Sequence, residues 1–470
     1  MKIMNIKAPS ILTFVIFLYT TCSLAQNPTL YIGGTAHIGN GVRIENAAIS
    51  VIDGKFDIVA DASRIKLNPD AFDTIIRLYG KHIYPSFIVP NTTLGITEID
   101  AVRASRDFKE VGNINPNVRS LVAYNTDSKI STTIRTNGVL LAQVTPRGGI
   151  ISGQSSVFYL DGKNWEDAVC RADDGIHINW PSSFQTSGWW AEPGETKKNK
   201  KYNNKIQEIK ILFERSRAYF ESHKIMDLRM ESMKGLFDGS KTLYIHANYA
   251  KDIRNAINMA LEFGVKNCVL VGGEDAESVL DILIENNIPV ILNRIHRLPD
   301  MQDAPIDKPF TQPKQLKEAG VLFCFSYEGD MEAMGARNIP FTAGTAVAYG
   351  LSYEDAISSL SLNTAKILGI AKNIGSIETG KEATFFISTG DALDMRTNNI
   401  EHAFIKGKAI DLISLEVAKS LNFDSPLTRY SSLDGSRHRP LVAKFKIIGF
   451  EFLYRSKWPG TNSLFIHLTL

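Results

Sequence analysis

Residues 82–95 read His-Ile-Tyr-Pro-Ser-Phe-Ile-Val-Pro-Asn-Thr-Thr-Leu-Gly, and this stretch decides the fold. A buried strand is predicted by three consecutive apolar, β-prone side chains, Phe87, Ile88 and Val89. The polar residues from Pro90 to Thr93 predict a loop at the carboxyl end of that strand. In a parallel barrel, this end presents side chains to a cleft.

The sequence changes character on either side of this stretch. Before it, short strands alternate with glycine-rich turns, and Asp53-Gly54 predicts a tight hairpin because a primed turn needs positive φ at both central residues. After it, apolar strands alternate with helical segments, which is typical of a parallel barrel or a doubly wound sheet. The clearest strands are at 139–144, 242–246, 268–271, 289–292 and 321–325, and the clearest helices are at 250–263 and 276–285.

The interval 148–240 interrupts the alternation. Its glycine- and serine-rich start, residues 148–156, is typical of a long barrel loop, and a ligand-binding loop is the alternative. Further on, the spacing predicts one long helix from Tyr202 to Met233.

The segment around residue 85 resembles the first barrel strand of the amidohydrolase superfamily, in particular its imidazolonepropionase-like branch, whose motif reads Pro-Gly-Phe-Ile-Asp-x-His-x-His. Three residues match the motif: Pro85, Phe87 and Ile88. A second resemblance lies in residues 350–384, which look like the family's last helices and its return into a small β-domain. The resemblance implies an α/β fold, a TIM-type (β/α)8 barrel with a small composite β-sandwich subdomain built from both chain ends.

The expected divisions of the chain follow from these patterns and from the resemblance. They are a signal peptide at 1–25, the first part of the β-subdomain at 26–80, an amidohydrolase-like barrel at 81–372 with an insertion at about 148–240, the second part of the β-subdomain at 373–412, and an unassigned tail at 413–470.

The family's metal centre is the part that the sequence departs from. In the family, histidines after the first strand and on the fifth and sixth strands, a lysine or glutamate on the fourth and an aspartate on the eighth hold one or two divalent cations. His246 stands where the fifth-strand histidine belongs, and Asp330 is a displaced candidate for the catalytic aspartate. The other ligand positions are substituted: Asn91, Thr93, Gly272 and Ser326. A lone imidazole falls short of the protein ligands that a zinc site needs.

The substituted ligand positions leave several functions open. The preferred hypothesis is a non-catalytic member, a pseudoenzyme that binds a small molecule at the barrel mouth or forms a homo- or hetero-oligomer with an intact paralogue. The alternative is a metal-dependent hydrolase of non-peptide or cyclic C–N bonds with a rearranged site, and only this alternative requires a divalent metal, zinc. A third possibility is a metal-free acid–base enzyme that uses Glu98, His246 and Asp330. A fourth is an oxygen-rich Ca²⁺ or Mg²⁺ site formed by Asn91, Thr93, Glu98, Glu328 and Asp330.

Composition and the first residues bear on partners and location. The net charge of +2 argues against a nucleic-acid partner, since basic excess is the usual footprint of such proteins. The first residues carry Lys2 and Lys7, then an apolar run and Ser23-Leu24-Ala25, which predict a secretory signal peptide cleaved after Ala25. We therefore expect a periplasmic or secreted protein without a membrane span in its mature chain.

Overall fold

The computed structural model describes residues 28–189, 192–222, 225–299, 303–329 and 331–412, together with the backbone of Val442–Ile447 and Phe450–Arg455. The predicted signal peptide, Asp330 and most of the tail lie outside the described residues. Among the helices of the described ranges, none combines the length and apolarity that a membrane crossing needs.

The secondary structure alternates after an all-β start. The strands are β1 (Thr29–His37), β2 (Arg43–Ile52), β3 (Lys55–Asp61), β4 (Thr74–Arg77), β5 (His82–Pro85), β6 (Phe87–Thr92), β7 (Val139–Val144), β8 (Ile151–Tyr159), β9 (Val169–Asn179), β10 (Phe184–Trp189), β11 (Glu192–Lys198), β12 (Thr242–Ala247), β13 (Cys268–Gly272), β14 (Val290–Leu292), β15 (Phe323–Phe325), β16 (Phe385–Ser388), β17 (Ile400–Ile405), β18 (Lys408–Ile410), β19 (Val442–Ile447) and β20 (Phe450–Arg455). The α-helices are α1 (Ser120–Ala123), α2 (Lys129–Arg135), α3 (Trp165–Ala168), α4 (Tyr202–Ser222), α5 (Leu228–Asp238), α6 (Ala250–Glu262), α7 (Leu280–Glu285), α8 (Lys308–Glu318), α9 (Glu332–Gly335), α10 (Ile339–Ala348), α11 (Tyr353–Leu360) and α12 (Leu362–Ile367). Short 3-10 turns lie at Pro69–Ala71, Arg103–Ser105, Ala276–Val279 and Ala336–Asn338.

One sheet of eight strands joins the two ends of the described region. Its order is β18-β17-β16-β5-β1-β2-β3, with β4 beside β1, so strands from residues 29–85 and 385–410 form one subdomain. The predicted hairpin is confirmed, because Asp53 and Gly54 have φ of 49° and 75° and connect β2 to β3. A separate apolar core, which includes Phe56, Ile83 and Phe385, fills this subdomain.

The second eight-stranded sheet forms the barrel, in the order β6-β7-β8-β9-β12-β13-β14-β15. The strands are parallel to their neighbours except β8, which is antiparallel to both β7 and β9. Ser326 Oγ, just after β15, donates a hydrogen bond to the Pro90 carbonyl of β6 at 3.1 Å and so links the last strand to the first. The TIM-type barrel with a subdomain from the chain ends is therefore confirmed.

Two local expectations are wrong. Residues 151–156, predicted as a loop, belong to the buried barrel strand β8, whose Ser155 accepts a hydrogen bond from Gln143 of the neighbouring strand β7. The predicted long helix from Tyr202 to Met233 is divided into α4 and α5, because Asp227 begins a new helix by accepting hydrogen bonds from the backbone of Arg229 and Met230.

Candidate functional site at the barrel mouth

The carboxyl ends of the barrel strands surround a cavity of about 330 Å³. Its lining comes from residues at or just after the ends of β9, β12, β13, β14 and β15, and includes Asn179, Trp180, His246, Asn248, Asn293 and Glu328. A larger cavity of about 520 Å³ lies at the opposite end, where β12 and β13 begin, and contains none of the predicted site residues. The mouth at the carboxyl ends is the position in which barrels hold their ligands.

Asn91 lies fully buried at this mouth. Its side chain forms hydrogen bonds with two charged side chains, Glu328 and Arg147. Its φ of 50° is in the left-handed region, which asparagine tolerates better than most residues. Its Nδ2 donates to Glu328 Oε2 at 2.8 Å, and its Oδ1 accepts from Arg147 Nη1 at 2.9 Å. The residue that stands for a metal-binding histidine therefore joins a carboxylate to a guanidinium.

Arg147 places a positive charge beside the position of the first-strand ligands. Its Nη2 donates to the Asn91 carbonyl at 2.9 Å and lies 3.1 Å from the Glu332 carboxylate. Both charged side chains are largely buried, with exposed fractions of 17% and 10%. Neither Arg147 nor Glu332 was predicted as a site residue; the one available signal is that Arg147 closely follows the carboxyl end of β7.

His246 occupies the predicted place on the fifth barrel strand, β12. Its Nε2 lies 2.9 Å from His177 Nδ1, and its Nδ1 lies 3.8 Å from Glu328 Oε2. Burial, and secondarily the charge of Arg147, lower the pKa of His246 to about 3. The imidazole is therefore neutral near neutral pH.

A chain of buried hydrogen bonds continues from His246 into the barrel, and we call His246, His177, Ser155 and Asp174 the lumen chain. His177 Nε2 lies 2.9 Å from Ser155 Oγ, which donates to Asp174 Oδ1 at 2.7 Å. Burial lowers the pKa of His177 and raises the pKa of Asp174, the latter against the opposing effect of its hydrogen bonds. His177, Ser155 and Asp174 were not predicted; the alternation of His177 and Asn179 with Ile176 and Ile178 was an available signal for His177 alone.

Gly272 and Ser326 serve the barrel itself. Gly272 has a φ of 97°, and a Cβ on it would lie 2.3 Å from Asn248 Oδ1, so the amide of Asn248 fills the space of a sixth-strand side chain. Ser326 is buried and links β15 to β6 as described above.

The remaining candidates are divided between the mouth and its surroundings. Thr93 is buried, and its hydroxyl has no hydrogen-bond partner within the described ranges. Glu98 accepts hydrogen bonds from Asn125 and Ser128, whereas Glu328 contacts Asn91. Asp330 lies outside the described residues. Of the expected oxygen-rich set, the contacts therefore connect Asn91 and Glu328.

The described ligand positions do not fit a divalent metal. Within the part of the chain that the structure describes, no group of three or more His, Cys, Asp or Glu side chains is arranged to hold one. The Asn91 amide is engaged by Arg147 and Glu328, and His246 Nε2 is engaged by His177.

Comparisons with known proteins agree with this architecture. The profile of the amidohydrolase family matches residues 229–410. An amidohydrolase structure from Thermotoga maritima MSB8 aligns with a TM-score of 0.68 at 23% identity, over 82% of this chain and 99% of that one. Residues 229–410 therefore resemble the amidohydrolase family in sequence, and the chain shares the fold of the aligned amidohydrolase.

Two further proteins are similar to this chain. A zinc-bound adenosine deaminase structure from Xanthomonas campestris aligns with a TM-score of 0.52 at 14% identity, over 85% of this chain and 95% of that one. An imidazolonepropionase from Bacteroides thetaiotaomicron is 32% identical over 87 residues, which are 18% of this chain and 21% of that protein. The match therefore spans much less than two thirds of that relative's length.

Proposed function

We propose that this protein is an exported, non-catalytic member of the amidohydrolase superfamily that binds a small polar molecule at the barrel mouth, alone or as the partner of an intact paralogue. The observation that carries the proposal is the guanidinium of Arg147. It is held by Asn91 and Glu332 beside the place where the family's first-strand histidines bind a cation.

The remaining features of the mouth support binding. The cavity of about 330 Å³ is lined by polar residues together with the aromatic residues Trp180 and Tyr249. Such a mixture of aromatic surface and a few placed polar groups is typical of small-molecule sites. Export is supported by the sequence of residues 1–25, with its basic start, apolar run and small residues before Gln26.

The second candidate function is a metal-dependent hydrolase of non-peptide or cyclic C–N bonds. It is favoured by the two adjacent imidazoles of His177 and His246, with the Glu328 carboxylate 3.8 Å from the latter. The imidazolonepropionase among the relatives points the same way. To serve as ligands in a zinc site, these side chains would have to give up the hydrogen bond that now joins His177 to His246.

Elemental analysis of protein purified without chelators separates the two functions. We expect metal far below one ion per chain in the wild type, and no change in His246→Ala. The matched control is His402→Ala, an exposed histidine of β17 in the other sheet. Near-stoichiometric zinc that falls in His246→Ala, but not in His402→Ala, would overturn the non-catalytic proposal and establish a rearranged metal centre.

A further inference from the structure

The buried end of the lumen chain determines the direction of its hydrogen bonds. Asp174 Oδ1 accepts a hydrogen bond from Ser155 Oγ at 2.7 Å. Asp174 Oδ2 accepts hydrogen bonds from Tyr244 OH at 2.6 Å and from Gln143 Nε2 at 2.8 Å. Burial and the neighbouring Asp174 raise the pKa of Tyr244 well above its usual range, so its hydroxyl remains a donor. With donors on both oxygens, Asp174 is bound as a carboxylate.

The donor and acceptor of each following hydrogen bond, from Ser155 to His246, are then fixed in turn. Ser155 has a single hydroxyl proton, which it donates to Asp174, so its oxygen accepts from His177 Nε2–H. A neutral His177 that is protonated on Nε2 has a lone pair on Nδ1, which accepts from His246 Nε2–H at 2.9 Å. At 3.8 Å, His246 Nδ1 is too far from Glu328 Oε2 to donate a hydrogen bond to it, so we assign the lone pair of His246 to this nitrogen.

At the mouth, this lone pair meets another acceptor. His246 Nδ1 and Glu328 Oε2 are 3.8 Å apart, and Glu328 Oε2 already accepts a hydrogen bond from Asn91 Nδ2. Both side chains are accessible from the cavity, with exposed fractions of 13% and 26%. A donor atom placed between them would satisfy both acceptors at ordinary hydrogen-bond distances.

The charges around this gap favour a cationic donor over a neutral one. The Arg147 guanidinium is engaged by Asn91 and paired with Glu332, while the Glu328 carboxylate faces the cavity. Trp180 and Tyr249 also line the cavity.

We propose that the barrel mouth binds its ligand through a protonated nitrogen, an ammonium or amidinium group, seated between His246 Nδ1 and Glu328. This inference rests on the proposed function of small-molecule binding at the mouth. Asp174 is a positioning residue in it, because Asp174 makes His246 present an acceptor although it does not touch the ligand.

An Asp174→Asn variant tests this role. Tyr244 and Gln143 both donate to Asp174 Oδ2, so in the variant we expect the asparagine oxygen to take this position and accept from both. The asparagine nitrogen then takes the position of Oδ1 and donates to Ser155. Ser155 can then donate to His177, which reverses the chain and leaves a proton on His246 Nδ1. The residues that line the mouth are unchanged, but His246 Nδ1 becomes a hydrogen-bond donor instead of an acceptor.

The binding experiment measures the affinity of the full chain for three size-matched probes by calorimetry. The probes are benzamidine, benzamide and benzoate. We expect benzamidine to bind the wild type more tightly than benzamide, and benzoate not to bind. Glu328→Gln and Asp174→Asn should each weaken benzamidine binding by about tenfold or more, as for the loss of a charge-assisted hydrogen bond. The control Glu382→Gln, which changes a carboxylate bonded to Tyr159, should bind like the wild type.

The outcomes separate the two levels of the proposal. Binding of benzoate in preference to benzamidine would overturn the cationic ligand and leave the binding function standing, whereas binding of none of the probes would count against the binding function itself. Unchanged benzamidine binding in a folded Asp174→Asn would overturn the positioning role. If that variant does not fold, ¹⁵N-histidine NMR of the wild type decides: a proton on Nδ1 of His246 would overturn the inferred direction.

Discussion

Two pairs of hydrogen-bonded histidines lie in the part of the chain that the structure describes, and they can be compared directly. The lumen pair, His177 and His246, has ring nitrogens 2.9 Å apart inside the barrel. The junction pair, His37 and His82, has ring nitrogens 3.2 Å apart in the sheet subdomain. The lumen pair reaches a carboxylate through Ser155, whereas His37 Nδ1 contacts the Glu354 carboxylate directly at 2.7 Å.

The surroundings make these similar pairs different. The carboxylate at the end of the lumen chain, Asp174, is fully buried, whereas the side chain of Glu354 is 18% exposed. The Arg147 charge lowers the pKa of His246 further, beyond the larger effect of burial. A histidine pair buried beside a cation is therefore held neutral, with its proton positions set by the hydrogen bonds. The junction pair differs in that its carboxylate partner, Glu354, is bonded directly and is partly exposed.

The largest contrast is expected when the two carboxylates are removed. Asp174→Ala leaves Ser155, Tyr244 and Gln143 with buried donors and should lower the free energy of unfolding by about 3–5 kcal/mol. Glu354→Ala breaks a more exposed contact and should cost about 1 kcal/mol. Urea unfolding of both variants measures the difference, and equal losses would show that burial does not separate the two pairs.

The pH dependence of stability should come from the lumen pair in a definite direction. Below its ordinary pKa of 6.5, unfolded His246 binds a proton that the folded chain, with a pKa of about 3, does not bind. This contribution is therefore complete above pH 6.5 and is lost as the pH falls, by up to about 1.4 kcal/mol per pH unit. His177 acts in the same direction, and the raised pKa of Asp174 acts in the opposite one.

His246→Gln isolates this histidine's share, because glutamine is polar and does not titrate. Thermal unfolding at pH 7.5 and pH 5.5 should show a smaller acid destabilisation in His246→Gln than in the wild type. The exposed His402→Gln should behave as the wild type does. An undiminished pH effect in His246→Gln would mean that His246 is not held neutral.

The smallest effect is expected at the outer histidine of the junction pair. His82 is half-buried, and glutamine can still reach its partner, so His82→Gln should change the free energy of unfolding by less than about 1 kcal/mol. In the lumen, His177→Gln should cost about 2 kcal/mol, because His177 is fully buried and stacks on the Tyr244 ring at 4.5 Å. Chemical unfolding of both variants ranks them, and the reverse order would contradict the comparison.

The fold was predictable where apolar runs and turn residues are local signals. The strands near Phe87, Leu141 and Ile245 and the hairpin at Asp53-Gly54 were identified correctly. Strand β8 was missed because a strand that faces a polar lumen reads as a serine- and glycine-rich loop. The same property concealed His177 and Asp174 on β9, since their partners Ser155 and Tyr244 lie on other strands.

The sequence by itself predicted the barrel with its composite subdomain and the place of His246 on the fifth strand. Through the family resemblance, it also predicted that Asn91, Thr93, Gly272 and Ser326 stand at substituted ligand positions. Only the tertiary structure decided what the substitutes do. Asn91 binds a guanidinium 56 positions further along the chain, and His246 pairs with a histidine 69 positions earlier. The physical reason is range: propensity and periodicity act over a few residues, whereas these hydrogen bonds exist because closure of the barrel brings the ends of distant strands together.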